Sequence, residues 1–322
     1  MTPRKIRWLI AHQPVELFVR TAEAFKQELN KRLPGHFDLE IITAPEYVEQ
    51  YKGSKELATI LDDDLENVDA AVDALFNALD DDIHLSQTQV IMIGAKDRAF
   101  YTLDLPFMFD DHAHVKRVVE GPIGEEICAN LEKTTTVKGL AFTYSGGYRV
   151  IGSNQAIASL SDLQDKRVIV VGNKTPRTET LEAVGAETIA VNPLLWGGWD
   201  TIPTDGSAEC VETTYLRSKV NHILKTNHSM FITTILTGKK FWATLSKEEQ
   251  TAFEECAKIT ASIEREWAIA DAAKFEADAE ANGITITPLS EQDEVDMKHK
   301  ARYTYLGFGA EYGDLIKRIR QS

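Results

Sequence analysis

The stretch Ile6-Arg-Trp-Leu-Ile-Ala11 alternates in strand fashion, and directly after it Val15, Phe18, Ala22, Phe25 and Leu29 recur at helical spacing. A period of two giving way to a period near 3.6 marks a β-strand followed by an amphipathic helix. The same alternation continues. Phe37, Leu39 and Ile41 predict a second strand, and Leu65, Val68, Val72, Leu75, Phe76 and Leu79 a second helix ending in Asp80-Asp-Asp82. Leu85 to Ile93 reads as a third strand. A β-α-β-α-β order implies parallel strands joined by right-handed crossovers, the start of a doubly wound sheet.

A second series begins near Lys138. Gly139–Phe142 and Arg167–Val171 read as strands, Thr178–Val184 as a helix closed by Gly185, and Thr188–Val191 as a further strand. Two α/β lobes in succession are therefore expected. From Ser246 to Asn282 the chain holds neither Gly nor Pro, and it ends on Asn282-Gly283, a helix-stop signal. One long bracing helix is expected there.

Composition narrows the function. The 322 residues, 43% of them hydrophobic, are enough for two cores. A formal charge of −15 repels phosphate backbones and anionic headgroups, which argues against nucleic acid and against attachment to a membrane surface. No run of about 20 apolar residues is present, so no membrane-spanning helix is expected. Met1 to Trp8 leads almost at once into a strand, leaving no room for a signal peptide's apolar core; the expectation is either a cytoplasmic protein or one whose leader has been removed. Cys128, Cys210 and Cys256 are odd in number and far apart, which excludes a disulfide framework or a two-cysteine metal knuckle. They are expected as buried thiols, with one bridged pair as the alternative.

Chemistry-bearing motifs are few. His112 and His114 point about 200° apart on a helix and cannot share a metal ion there, so solvated histidines are expected. Asp62–Asp64 and Asp80–Asp82 lack the ligand spacing and central Gly of an EF-hand, and read as solvated helix ends. Gly197-Gly198 lacks phosphate-loop spacing. Neither a metal nor a cofactor is implied, and no nucleophile motif supports an enzyme. What remains is a set of polar and aromatic residues at strand ends and loops: His12, Gln13, Gln87, Thr88, Tyr148, Arg149, Trp196, Trp199, Glu212, Asn227 and Phe231. Carboxyl ends of strands in doubly wound sheets hold ligands, so the set suits a cleft; the alternative for the aromatics is core.

Several blocks together resemble one family. Tyr101-Thr-Leu-Asp-Leu-Pro-Phe-Met-Phe109, with Val118-Val-Glu-Gly-Pro-Ile-Gly124 after it, is similar to a segment of the DctP-type solute-binding proteins of TRAP transporters. Trp8-Leu-Ile-Ala-His12 resembles that family's opening strand, Gly147-Tyr-Arg149 its Gly-Phe-Arg turn, and Val184-Gly-Ala186 its Leu-Gly-Ala. Ala158–Leu163 corresponds to the segment before the next strand. Asn192-Pro-Leu-Leu-Trp-Gly197 resembles the Pro-x-x-Trp-Gly of the ectoine-binding branch. Gly206–Glu212 and Thr226–Thr233, the latter leading into Gly238–Trp242, complete the match.

The resemblance implies a two-lobe periplasmic-binding-protein-like α/β fold, with doubly wound sheets, crossing hinge strands and a long bracing helix. Residues 1–142 with 230–265 would form lobe I, and 143–229 with 266–322 lobe II. It implies a monomeric periplasmic protein that performs no covalent chemistry. The protein would capture a small organic acid, sulfonate or zwitterion by hinge closure and pass it to membrane permease subunits. A ligand-binding module of a sensor and an enzyme on the same scaffold are the alternatives. Trp196 would be an aromatic lid, Phe231 a second ring, Arg149 a cation near the hinge and Glu212 a polar anchor. Two departures stand out. Relatives usually place a carboxylate-gripping arginine in the strand Lys166–Val171, where this chain has Ile169 or Val170; Arg177 is the candidate replacement. The usual Glu-Val-Tyr is here Gly198-Trp199-Asp200.

Overall fold

The computed structural model describes residues 2–12, 15–63, 68–171, 175–191, 206–210 and 220–322. Among the described residues ten strands run in chain order as β1 (Arg4–Ile10), β2 (Phe37–Thr43), β3 (Leu85–Gln89), β4 (Val137–Ser153), β5 (Arg167–Val171), β6 (Glu187–Val191), β7 (Gly206–Cys210), β8 (His222–Lys225), β9 (Met230–Gly238) and β10 (Thr285–Pro288). Their order in space is β2-β1-β3-β9-β4-β7-β5-β6, with β8 also on β4 and β10 on β8.

β1 pairs in parallel with β2 and β3, as the opening β-α-β-α-β pattern requires. β9 then inserts antiparallel between β3 and β4. On the other side, β5 pairs in parallel with β6 and β7. The two halves share one strand. β4 pairs with β9 from Val137 to Tyr144, shifts register before Tyr148, and pairs with β7 from Arg149 to Ser153. Gly146 and Gly147 sit in that shift with φ of 82° and 93°. Such backbone strains any residue with a Cβ, so the glycines allow one strand to leave one sheet and enter the next.

Two principal hydrophobic cores result, with a smaller cluster about Val150 and Ile223 beside the second. Trp8, Phe25, Phe37, Phe241 and Phe253 stack edge-to-face or tilted in the first. Ile151, Leu163, Val168, Val170, Leu181, Leu224 and Met297 form the second. The fold is the two-lobe α/β arrangement expected, with β4 as the strand that crosses from one sheet to the other.

The long helix spans Lys247–Asp278. Ser246 caps it by accepting from the Glu249 N–H, and Glu249 accepts in return from the Ser246 N–H at 2.8 Å. A short 3₁₀ turn, Glu280–Asn282, and left-handed Gly283 end the segment, close to the sequence-based bounds. The helix buries Phe253, Cys256, Ala257, Ala261 and Ala268, packing on helix Val15–Arg32 and on β4.

Several expectations change. β3 stops at Gln89, and Val90–Gly94 is a buried helix rather than more strand. An apolar run of four is compatible with either state, and burial on all sides removes the periodic signal that would separate them. A second long helix, Glu291–Arg320, was not legible because Gly307, Gly309 and Gly313 interrupt it. It buries Met297 in the second core, and Phe308, Leu315, Ile316 and Ile319 in the first.

His112 and His114 are not solvated. His114 is buried, with Nε2 2.7 Å from the Ile319 carbonyl, and His112 lies half-buried against Tyr144 and Tyr148. Their helix, His112–Val119, lies against the C-terminal helix, which supplies the acceptor. Asp80–Asp82 are likewise bonded: Asp82 accepts from Tyr47 and Arg7, Asp81 pairs with Lys55, and Asp80 accepts from the Lys240 N–H. Asp64, with the side chains of Asp62 and Asp63, lies outside the described part. Cys256 is a buried free thiol and Cys128 a half-buried one.

Candidate functional site

Two polar clusters lie beside the stretch where β4 changes sheets. In the first, the Gln87 amide in the middle of β3 donates to Thr143 Oγ1 at 2.8 Å, Thr233 Oγ1 at 3.2 Å and Glu264 Oε1 at 3.3 Å. The other Glu264 oxygen accepts from the Tyr144 N–H at 2.8 Å. Glu264 comes from the long helix and is fully buried, and that burial pushes its carboxyl up to about 8. Sequence reasoning missed Glu264 because an acidic residue in a charged helix reads as solvent-facing. Thr88 turns back to Met92 Sδ at 3.5 Å, and His12, buried at the end of β1, packs edge-on to Phe18.

The second cluster is built around Asp104, the last residue of the 3₁₀ turn Arg98–Asp104. Arg149, on β4 just past the register shift, donates from Nη1 to Asp104 Oδ1 at 2.7 Å. Arg177 donates from Nε to Asp104 Oδ2, also at 2.7 Å. Arg177 sits at the start of helix Pro176–Ala183, whose cap, Thr175, and first-turn proline fix its entry. Phe231 presents its ring face to both cations, 3.9 Å from the Arg149 guanidinium carbon and 5.3 Å from that of Arg177. All three charged side chains are fully buried. Ion pairs this deep require excellent geometry to offset desolvation, and the ring adds a cation–π contribution.

The pairing is incomplete at Arg177. Its Nη1 and Nη2 have no hydrogen-bond partner among the described residues, and the side chain is buried. A guanidinium held by Nε alone presents its two terminal nitrogens as a fork suited to a carboxylate-type anion. His228 flanks the cluster. Its Nδ1 lies 2.7 Å from Thr226 Oγ1, and burial, then the two guanidiniums, push its imidazole down to about 3. The ring stays neutral at any physiological pH. The His228 carbonyl accepts from the N–H of Phe107, a residue held at φ 54°, which ties the Leu105–Phe109 segment to the turn before β9.

Asn227 stands in that turn in left-handed backbone with its side chain exposed. Tyr148 is half-buried beside His112, and burial pushes its hydroxyl up to about 12. Ile169 packs with the first core and Val170 with the second, so the apolar side chain on the inter-lobe side of β5 is Ile169. Gln13, Trp196, Trp199 and Glu212 lie outside the described residues, as do Gly198 and Asp200. Asp104 was missed, although it stands within the very block that carried the resemblance. No group of three or more possible metal ligands occurs among the described residues, and no described helix is long and apolar enough to cross a membrane. A groove of about 610 Å³ between helix Pro122–Thr134 and the long helix contains neither Arg149 nor Arg177.

The profile of the DctP family, bacterial extracellular solute-binding protein family 7, matches residues 11–311. The chain belongs to this family. As a DctP-family member it is a solute-binding protein of the TRAP-transporter class. Among curated relatives, the C4-dicarboxylate-binding periplasmic protein DctP of Rhodobacter capsulatus is 24% identical over 169 residues, 51% of this chain and 49% of that protein. The chain spans 49% to 72% of the length of this and two further relatives it matches. Among solved structures, a TRAP periplasmic solute-binding protein of Pseudomonas putida F1 with bound D-glucuronate superposes with a TM-score of 0.81 at 19% identity, covering 98% of this chain and 96% of that one. One from Haemophilus influenzae RdAW with bound L-gulonate gives 0.81 at 21% identity, covering 99% of both. These likenesses show the two-lobe fold of this DctP-family chain.

Proposed function

We propose that this DctP-family protein captures a small organic acid in the periplasm and delivers it to the membrane permease subunits of a TRAP transporter, acting as a monomer without covalent chemistry. The observation that carries the reading is the Arg177 fork, two buried guanidinium nitrogens without a partner among the described residues. Buried charged donors left unmet are costly, so their retention points to an anion that meets them. In this reading Arg177 replaces the arginine absent at Ile169, and Arg149 and Phe231 frame it. Trp196 and Trp199 supply an aromatic wall, and Gln13 and Glu212 polar contacts. His12, Gln87, Thr88, Tyr148 and Asn227 complete the cleft and its rim.

Residues 1–142 with 230–265 would act as one lobe and 143–229 with 266–322 as the other, the C-terminal helix spanning both cores. The ligand closes the lobes through its differential affinity for the closed form, and about 5.5 kcal/mol of preference converts 1:99 closed into 99:1. A thermal-shift and calorimetric panel of D-glucuronate, L-gulonate and succinate, with small-angle scattering of the best binder, tests the reading. Expected are a raised melting temperature and a smaller radius of gyration. A panel with no binder, or binding without compaction, overturns it.

A further inference from the structure

Asp104 occupies an unusual position for a residue with no assigned role. Asp104 gives one carboxylate oxygen to each of two arginines, so neither guanidinium is engaged end-on by both oxygens. Here it touches each guanidinium through a single nitrogen, Nη1 of Arg149 and Nε of Arg177, both at 2.7 Å. Arg149 Nη1 is further fixed by Ser229 Oγ and the Met230 carbonyl, each at 3.1 Å. The side-on contact to Arg177 holds that guanidinium in place while leaving Nη1 and Nη2 clear of the described residues. Phe231 closes the face below. The carboxylate thus orients the fork and subtracts one positive charge from the same buried space.

We propose that Asp104 is the residue that sets the charge of the accepted ligand: a resident carboxylate that positions the Arg177 fork and reserves it for a solute presenting one carboxylate, disfavouring doubly charged acids. This rests on the reading of Arg177 as the anion fork. Removing the charge of Asp104 leaves the arginine pair short of one negative charge in a low-dielectric space, where Coulomb interactions are strong. Divalent anions then gain more than monovalent ones. A merely structural Asp104 would lower the affinity for both alike.

The test uses inorganic probes, nitrate and sulfate, titrated at constant ionic strength into wild type, Asp104→Asn and Asp104→Glu, with binding read by calorimetry and thermal shift. Asp104→Asn is expected to raise the sulfate-to-nitrate affinity ratio by about tenfold or more, whereas Asp104→Glu, which keeps the charge, leaves the ratio at the wild-type value. An unchanged ratio in Asp104→Asn, or an equal change in both variants, overturns the proposal. If Asp104→Asn does not fold, the double variant Asp104→Asn/Arg177→Gln, which removes one charge of each sign, is expected to recover a folded protein. A double variant as unfolded as the single one overturns the proposal as well. Because nitrate and sulfate report on the arginine pair without any organic ligand, failure of the organic-acid panel would strike the transport reading and leave this result standing.

Discussion

Arg177 meets Asp104 through Nε alone, at 2.7 Å, so that one charged pair both anchors the arginine and leaves its terminal nitrogens unmet among the described residues. A side chain from the start of helix Pro176–Ala183 is thereby fixed to the 3₁₀ turn that precedes Leu105-Pro106. Substitution at Arg177 separates this arrangement into its parts. Arg177→Ala is expected to weaken binding of the best organic acid by about 100-fold, on the order of 3 kcal/mol. Arg177→Lys recovers only part of the loss, because an ammonium is a point charge that cannot reproduce both the Nε anchor and the two-pronged end. Isothermal titration decides; equal affinities for wild type and Arg177→Ala would remove Arg177 from the site.

Glu264 gives the fold a pH dependence of definite sign. In the unfolded chain a glutamate titrates at its ordinary 4.5, whereas burial in the fold moves it to about 8. Between those values the folded state holds the extra proton, so stability is fully present below 4.5 and is lost as pH rises toward 8. The charged neighbours are Arg265 and Arg20, and the Gln87 amide and the Tyr144 N–H bond the carboxyl directly. Glu264→Gln is therefore expected to be more stable than wild type at pH 8, on the order of a few kcal/mol, with the advantage vanishing near pH 4. Urea titrations at the two pH values check it, and a variant uniformly less stable at both would refute the assignment.

His228 and His84 act in the opposite direction. Burial, together with arginines nearby, lowers His228 to about 3 and His84 to about 4. Below the ordinary 6.5 the unfolded imidazoles take up protons that the folded ones refuse, so stability declines as pH falls from 6.5 toward those values. Each contributes a slope of up to about 1.4 kcal/mol per pH unit in that window. His228→Gln should flatten the acid limb of a stability-versus-pH curve by close to one proton. An unaltered limb would show that His228 titrates normally.

The C-terminal helix offers a stabilising change. Gly307 is helical, and a Cβ built on it meets nothing within 4 Å. Gly307→Ala is expected to stabilise the protein by about 0.5–1 kcal/mol through helix propensity and a less mobile unfolded chain. The midpoint of chemical denaturation should rise with an unchanged slope. A lowered midpoint would mean that the helix needs the flexibility of that glycine.

Much of this architecture was legible before the fold was known. Val15, Phe18, Ala22, Phe25 and Leu29 announce a helix because one face must be apolar and the other not, and all but the half-buried Val15 are indeed buried. The run free of Gly and Pro from Ser246, with its stop at Asn282-Gly283, marks the long helix because breakers and stops are local chemistry, while the Ser246–Glu249 cap came from the structure. Legibility ended where local pattern and tertiary burial part company. Val90–Gly94 is apolar on all sides, and Glu291–Arg320 carries three glycines, so its helix rests on burial of one face across two cores. At the site, Arg149, Arg177 and Phe231 were legible as candidates, but their convergence on Asp104 was not.

By itself the sequence determined the alternation of strands and helices, the long helix with its stop and the family, because each depends on short-range periodicity or on ordered blocks along the chain. Only the tertiary structure decided that β4 divides its hydrogen bonds between two sheets, and that Asp104, Arg149 and Arg177, up to 73 positions apart, share one buried space. Charges separated along a chain acquire their partners from the packing that excludes water around them, and no local pattern encodes which carboxylate will be left facing which guanidinium.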